Sequence, residues 1–147
     1  MLDAIPVDPS QSTFVDLGAG MGRVVLLAAE RGYRSIVGVE ISPALLEVAR
    51  ANLRSAGDLA SRIRLKRCDA ACYRLPRGDL AVYLFNPFSS EVVAAVVRRL
   101  IAHESGDVAI AYHTPVERAV IEETHAFRIA ADLGFGVVYR RVGNKRQ

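Results

Sequence analysis

Short apolar runs alternate with stretches in which apolar residues recur every three or four positions, and this alternation continues along most of the chain. The run Thr13-Phe14-Val15-Asp16-Leu17 is β-branched and aromatic and stops at a glycine cluster, so it predicts a buried strand. From Gly22 to Arg31 the sequence GRVVLLAAER is apolar almost all round, as in a helix packed on a sheet, and Gly32 ends it. A second strand is predicted over Ser35 to Val39. Ser42 is placed to cap the next helix and Pro43 fits its first position. Leu45, Leu46, Ala49 and Leu53 follow at helical spacing, with Gly57 beyond the end. A third strand is predicted over Ile63 to Arg67, and a short helix or loop over Ala70 to Pro76.

The second half repeats the pattern. Leu80 to Phe85, LAVYLF, lacks a clean alternation, as expected of a central strand covered on both faces, and Asn86-Pro87 stops it. Ser90 is the candidate cap of a helix whose Val92, Val93, Val96, Val97, Leu100 and Ile101 form one stripe. A fifth strand is predicted over Asp107 to Tyr112 and a helix over Pro115 to Thr124. Phe127 to Ala131 and Phe135 to Val142 then predict two strands joined by a tight turn at Asp132-Leu133-Gly134. Alternating β and α elements imply an α/β fold with a parallel sheet and helices on both faces.

Length and composition narrow the class. A chain of 147 residues suits a single domain, 1–147, and half of it is apolar, enough for a sizeable core. The first nine residues lack the basic start and apolar stretch of a signal peptide, and no apolar run approaches the roughly 20 residues of a membrane-spanning helix. Cys68 and Cys72 have no partners at metal-ligand spacing, so no metal site is expected. These features predict a cytoplasmic protein. The net charge of +3 is spread over small clusters such as Lys66-Arg67, Arg98-Arg99 and Arg140-Arg141. A nucleic-acid partner is neither supported by a dense basic stripe nor excluded.

The most informative segment is Asp16-Leu17-Gly18-Ala19-Gly20-Met21-Gly22-Arg23, between the first strand and the first helix. An open α/β sheet places its ligand crevice there. A dinucleotide fingerprint requires G-x-G-x-x-G, but here the third glycine comes one residue early and Arg23 takes its place. The G-x-G-x-G spacing suits a ligand without a pyrophosphate. Asp16 agrees, because a carboxylate there repels phosphate and attracts a cationic amino group. Glu40, ending Ile36-Val37-Gly38-Val39-Glu40, lies about 20 residues after the loop, where an acid accepts hydrogen bonds from ribose hydroxyls.

DLGAGMGR followed by VGVEIS resembles motif I and the next acidic motif of class I S-adenosylmethionine-dependent methyltransferases. The resemblance spans about residues 13 to 142. It implies a Rossmann-like three-layer α/β/α sandwich on a mostly parallel seven-stranded sheet with an antiparallel C-terminal hairpin, the last strand inserted beside the fifth. It also implies S-adenosyl-L-methionine as cofactor. By position, Gly18, Ala19, Gly20 and Gly22 wrap its methionine part, Asp16 orients the amino end, Glu40 holds the ribose and Ile41 packs on the adenine. Asp69, with Ala70 beside it, resembles the family's acidic contact to the adenine amino group; the alternative for Asp69 is an Asx-turn residue. FVDLGAGMGRVVLLAA also resembles the cofactor loop of the non-SET histone-lysine methyltransferases, a match of one loop that assigns no substrate.

For methyl transfer the candidate catalytic residues are Asn86, Pro87, Phe88 and His113. Asn86-Pro87-Phe88 resembles the Asn/Asp-Pro-Pro-Tyr/Phe motif of amino-group methyltransferases, with one proline instead of two. The alternative is a strand-end Asn-Pro turn. His113 ends the fifth strand and is either a general base or a histidine bonded to a loop carbonyl. Arg23 meets an acceptor anion or serves as a surface residue at a helix start. His103 and His125 read as surface residues, and Tyr83 and Tyr112 as core. Family members usually have helices before the first strand, whereas about a dozen residues precede it here. A minimal or N-terminally short member, or an oligomer or partner chain that covers this side, is therefore expected. The expected function is methyl transfer to an unidentified acceptor, with a nitrogen of a protein, nucleic acid or small molecule as its nucleophile. The alternatives are a non-catalytic cofactor-binding or scaffold domain and, less favoured by the glycine spacing, a nucleotide-dependent oxidoreductase.

Overall fold

The computed structural model describes residues 1–85 and 88–143. Its strands are β1 (Thr13–Leu17), β2 (Ser35–Glu40), β3 (Ile63–Arg67), β4 (Leu80–Phe85), β5 (Val108–His113), β6 (Phe127–Asp132) and β7 (Gly136–Arg141). Its helices are α1 (Arg23–Glu30), α2 (Pro43–Arg54), α3 (Ser90–Ile101) and α4 (Arg118–Glu122). The seven strands form one sheet in the order β3-β2-β1-β4-β5-β7-β6. β1 to β5 pair in parallel, and β7 runs antiparallel to both β5 and β6. This is the expected Rossmann-like α/β/α sandwich, with the final hairpin inverted and β7 inserted beside β5.

Side-chain alternation divides the core into two layers. Phe14, Ile36, Ala81, Tyr83, Ala109 and Ala111 face α1, whose Val25, Ala28 and Ala29 are buried there. Val15, Val37, Val82, Ile110 and Tyr112 face α3 and α4 on the other side. β1 is buried at all five positions, which explains why its sequence shows no polar alternation. The same holds for β4 up to Leu84, and both Tyr83 and Tyr112 are core residues as expected.

Several boundaries differ from the sequence reading. Ser42 caps α2 as expected, its side chain accepting from the Leu45 N–H at 3.3 Å. The cap of α3 is Ser89 rather than Ser90, and it makes no side-chain capping bond. The stretch from Ala70 to Pro76 forms turns and loop, with no helix. A 3₁₀ segment, Gly57–Arg62, precedes β3 instead, where Gly57 adopts a positive φ. α4 is shorter than the Pro115–Thr124 expectation, because Pro115 and Glu117 make turn bonds before the helix begins.

The N-terminal residues also pack. Leu2–Ala4 form one 3₁₀ turn, and Leu2 and Ile5 are buried in the α1-side layer. Asp3 pairs with Arg31 at 2.7 Å, holding this segment against the end of α1.

Candidate functional site

The turn from β1 into α1 runs through three glycines with positive φ: Gly18 at 85°, Gly20 at 53° and Gly22 at 84°. L-residues rarely adopt that backbone, so this turn selects glycine for conformation alone. Space adds a further demand at two of them. A Cβ at Gly18 would stand 3.0 Å from the Phe88 ring, and one at Gly22 would stand 3.3 Å from Ala49 of α2. Gly20 has nothing within 4 Å, so the middle of the loop faces open space.

The loop is tied to β2 from below. The Gly18 and Ala19 N–H groups both donate to the Val39 carbonyl, at 2.8 and 2.9 Å. Glu40, the last residue of β2, is only 8% exposed. Its Oε2 accepts from the Gly20 N–H at 2.9 Å and its Oε1 from the Ser42 N–H at 2.8 Å. One carboxylate therefore bridges the glycine loop and the start of α2. Each oxygen keeps a second lone pair for a hydroxyl donor.

Asp16 lies behind the loop and is 2% exposed. Burial, and then the nearby charge of Glu40, push its carboxyl up to about 7. Among the described residues no group donates a hydrogen bond to it. A buried carboxyl without a donor, facing a second carboxylate, suits a ligand that brings a cation. Tyr83 sits close by, its phenol pushed up to about 12 by burial and the charge of Asp16.

The remaining sequence-predicted residues are placed as follows. Ile41 follows Glu40 and is 63% exposed, an apolar side chain left at the rim of the crevice. Ala19 is buried. Asp69 is exposed, and its Oδ1 accepts from the Ala71 N–H at 2.8 Å, the Asx-turn geometry. Ala70 packs into the core layer beneath α3. Phe88 lies with its ring over Gly18 and its other side on that same core layer. Asn86 and Pro87 lie outside the described residues.

His113 ends β5 at the same edge of the sheet. Its ring lies in an aromatic cluster, 5.0 Å from Phe85, 5.5 Å from Phe135 and 6.5 Å from Tyr83, centroid to centroid. Among the described residues its ring makes no hydrogen bond, so the loop-carbonyl partner is not found. The next residue, Thr114, adopts a positive φ and donates its N–H to the Phe135 carbonyl at 2.9 Å, which fixes the cluster. A cavity of about 190 Å³ opens here between Tyr83, His113, Phe135 and the N-terminal Met1 and Leu2. Phe85 is 46% and Phe135 55% exposed, so two rings remain available on its outer side.

The sequence reading missed this cluster. Its signal was the aromatic character of residues 83, 85 and 135 at the carboxyl end of β4 and the amino end of β7, which the expected place of β7 beside β5 brings to one edge of the sheet. His103 is also corrected: it is half-buried, and its Nε2 lies 2.8 Å from the Gly78 carbonyl, a structural partner. His125 and Arg23 are exposed.

The crevice, formed at the carboxyl ends of β1 and β2, thus holds an open glycine turn, a bridging carboxylate and a buried acid without a donor among the described residues. The residues present fit a nucleoside with a cationic amino acid end. No curated protein sequence is significantly similar to this chain. Among solved structures, a ribosomal protein L11 methylase from Lactobacillus delbrueckii subsp. bulgaricus superposes with a TM-score of 0.67 at 19% identity, covering 97% of this chain and 75% of that one. The glycopeptide N-methyltransferase MtfA, complexed with S-adenosyl-L-methionine, superposes with a TM-score of 0.69 at 14% identity, covering 93% and 88%. An rRNA methylase from Streptococcus thermophilus gives 0.65 at 15% identity, covering 91% and 89%. The family model described as a methyltransferase domain matches residues 14–104, from β1 beyond α3. This chain therefore belongs to the methyltransferase-domain family, as a class I member of the kind that takes its methyl group from S-adenosylmethionine.

Proposed function

We propose that the chain transfers the methyl group of S-adenosylmethionine to a nitrogen nucleophile of an acceptor seated at the carboxyl ends of β4 and β5. The observation that carries this reading is the Glu40 carboxylate, held by the Gly20 and Ser42 N–H groups near the buried Asp16. Glu40 would accept the ribose hydroxyls with its spare lone pairs, while Asp16 pairs with the amino end of the methionine moiety. Gly20 leaves room for the ligand to lie against the backbone. When bound, the cofactor would supply a sulfonium methyl group, passed in line to the nucleophile as its bond to sulfur breaks and the neutral thioether leaves.

The chain's own task is then alignment and the exclusion of water. Phe85 and Phe135 offer exposed ring faces beside His113, which orient a flat acceptor. The His113 ring, without a hydrogen-bond partner among the described residues, would take the proton that a nitrogen nucleophile loses. The sequence Asn86-Pro87-Phe88 supports a nitrogen acceptor by its resemblance to amino-group methyltransferases.

The reading is tested by incubating the purified protein with methyl-labelled S-adenosylmethionine and fractionated cell extract. Label is expected in one class of acceptor, in an acid-stable linkage to nitrogen, and His113→Ala is expected to lower transfer about a hundredfold, in the range of a lost general base. Label in an ester or ether linkage would overturn the nitrogen assignment. Transfer that is unchanged in His113→Ala would remove that residue from the chemistry.

A further inference from the structure

The cations of this chain are unevenly placed. Residues 62–77 carry six Lys and Arg against a single Asp, while the whole chain nets only +3, so the remainder is net acidic. Folding divides them: Arg62 bonds the Tyr33 and Ala29 carbonyls on the α1 side and Arg67 alternates onto the face of Leu65, while the other four gather elsewhere. In the β2–β3 register Arg64 aligns with Val37 and Lys66 with Val39. Aligned residues of parallel strands share a face. That face is the one on which Tyr73 and Leu75, from the loop between β3 and β4, pack against the core. Arg74 and Arg77 follow in the loop and are exposed. Arg99 approaches from α3, its Nη1 donating to the Tyr73 carbonyl at 2.9 Å.

Between this loop and the end of α3 lies an open groove of about 690 Å³. Arg74, Arg77 and Arg99 line it with Tyr73 and Leu75, and Glu104 is its one carboxylate among the described residues. Among the described residues the arginines that form ion pairs, Arg31, Arg50, Arg118 and Arg140, all lie elsewhere. Among the described residues Arg64, Lys66, Arg74, Arg77 and Arg99 pair with no acid. The groove opens beside Ser105 and the Gly78 region, before β5 and β4 begin. This end of the groove lies at the opposite end of the strands from the glycine loop, while Tyr73 and Leu75 reach back to line a small cavity with Leu17 and Ala70.

Unpaired guanidinium groups around a concave surface match phosphate oxygens, which their planar forks bind in pairs. The cations continue from the groove onto β3, further than a single phosphate reaches. The Tyr73 ring, the Leu75 side chain and the guanidinium planes also offer flat surfaces on which bases stack. An acidic peptide would match the charge and leave those surfaces without a flat partner. We infer that this groove is a docking surface for a single-stranded nucleic acid, holding its phosphate backbone apart from the methyl-transfer crevice. It does not depend on which acceptor is methylated.

The test is fluorescence anisotropy of a labelled, unstructured RNA of about a dozen nucleotides, a length suited to such surfaces. It is titrated with the full chain and with an Arg74→Gln/Arg77→Gln variant, which leaves the Arg99–Tyr73 bond in place. About three phosphate contacts predict a log–log salt slope near −2, so affinity falls roughly tenfold to twentyfold between about 50 and 200 mM salt. The double variant is expected to bind about tenfold more weakly with a shallower slope, while S-adenosylmethionine binding by calorimetry stays unchanged and reports an intact fold. The inference is overturned if the full chain fails to bind RNA at low salt, if the double variant binds it equally well, or if a polyglutamate of matched charge competes as strongly as RNA.

Discussion

At the scale of single residues the site is governed by two carboxylates in opposite situations. Glu40 is satisfied by two backbone N–H groups, whereas Asp16 is buried, has no donor among the described residues and is raised from 3.8 to about 7. A raised folded-state value means that the native protein holds a proton which the unfolded chain has lost. Stability from this group is therefore full below about pH 3.8 and declines as pH rises toward 7. Asp16→Asn should remove that decline and raise the melting temperature of the ligand-free protein at pH 8, as differential scanning calorimetry would show; a lower melting temperature at that pH would contradict it. Ligand binding should have the opposite dependence. A cationic amino group pairs with ionised Asp16, so S-adenosylmethionine affinity should rise from about pH 6 to pH 8, with protons released into the buffer on binding. Binding enthalpies independent of buffer ionisation heat near pH 7 would contradict the pairing. Both acids could be found in the sequence from their distance to the glycines. Asp69 and Ala70 also stood at the right distance, but spacing does not reveal which way a side chain turns: Asp69 is committed to a turn bond on one oxygen, and Ala70 to the core.

At the scale of elements, the position of the loop depends on how closely β2 and α1 approach. Gly38 marks that approach: a Cβ there would stand 2.8 Å from Leu65 Cδ2, 3.0 Å from Ala19 Cβ and 3.2 Å from Val25 Cγ1. Gly38→Ala should cost about 1–3 kcal/mol in denaturant unfolding by overpacking. Because one of the displaced atoms belongs to Ala19, it should also weaken cofactor binding. A variant with lower stability and unchanged affinity would show that the loop is not held from this side. Ser42→Ala removes the α2 cap and should cost about 1 kcal/mol by the same measurement; no change would mean that the Glu40 bond to the Ser42 N–H suffices. The elements that were legible have strong punctuation: Gly32 after α1, Ser42-Pro43 before α2, the apolar run of β4. Those read less well have weak punctuation. The 3₁₀ segment Gly57–Arg62 carries no stripe of its own, and its Arg62 reaches across to the Tyr33 and Ala29 carbonyls, a tertiary bond that local pattern cannot announce.

At the scale of the whole molecule, the β–α alternation predicts a parallel sheet but does not by itself fix strand order. The insertion of β7 beside β5 came from the family resemblance. That insertion places Phe135 next to His113 and closes the aromatic cluster, which is why the cluster could not be read from spacing. Strand order likewise decides where the cations gather, since β3 and the loop after it form one edge of the sheet while Lys66-Arg67 alone looks like a small cluster. Among the described residues no helix is long and apolar enough to cross a membrane. The account as a whole depends on one crevice, and calorimetric titration of the full chain with S-adenosylmethionine, beside NAD, tests it most directly. Micromolar binding of S-adenosylmethionine is predicted, weakened at least tenfold in Glu40→Gln, which keeps a single acceptor oxygen, and more in Glu40→Ala. Tighter binding of NAD, or undiminished S-adenosylmethionine affinity in a folded Glu40→Ala protein, would contradict it.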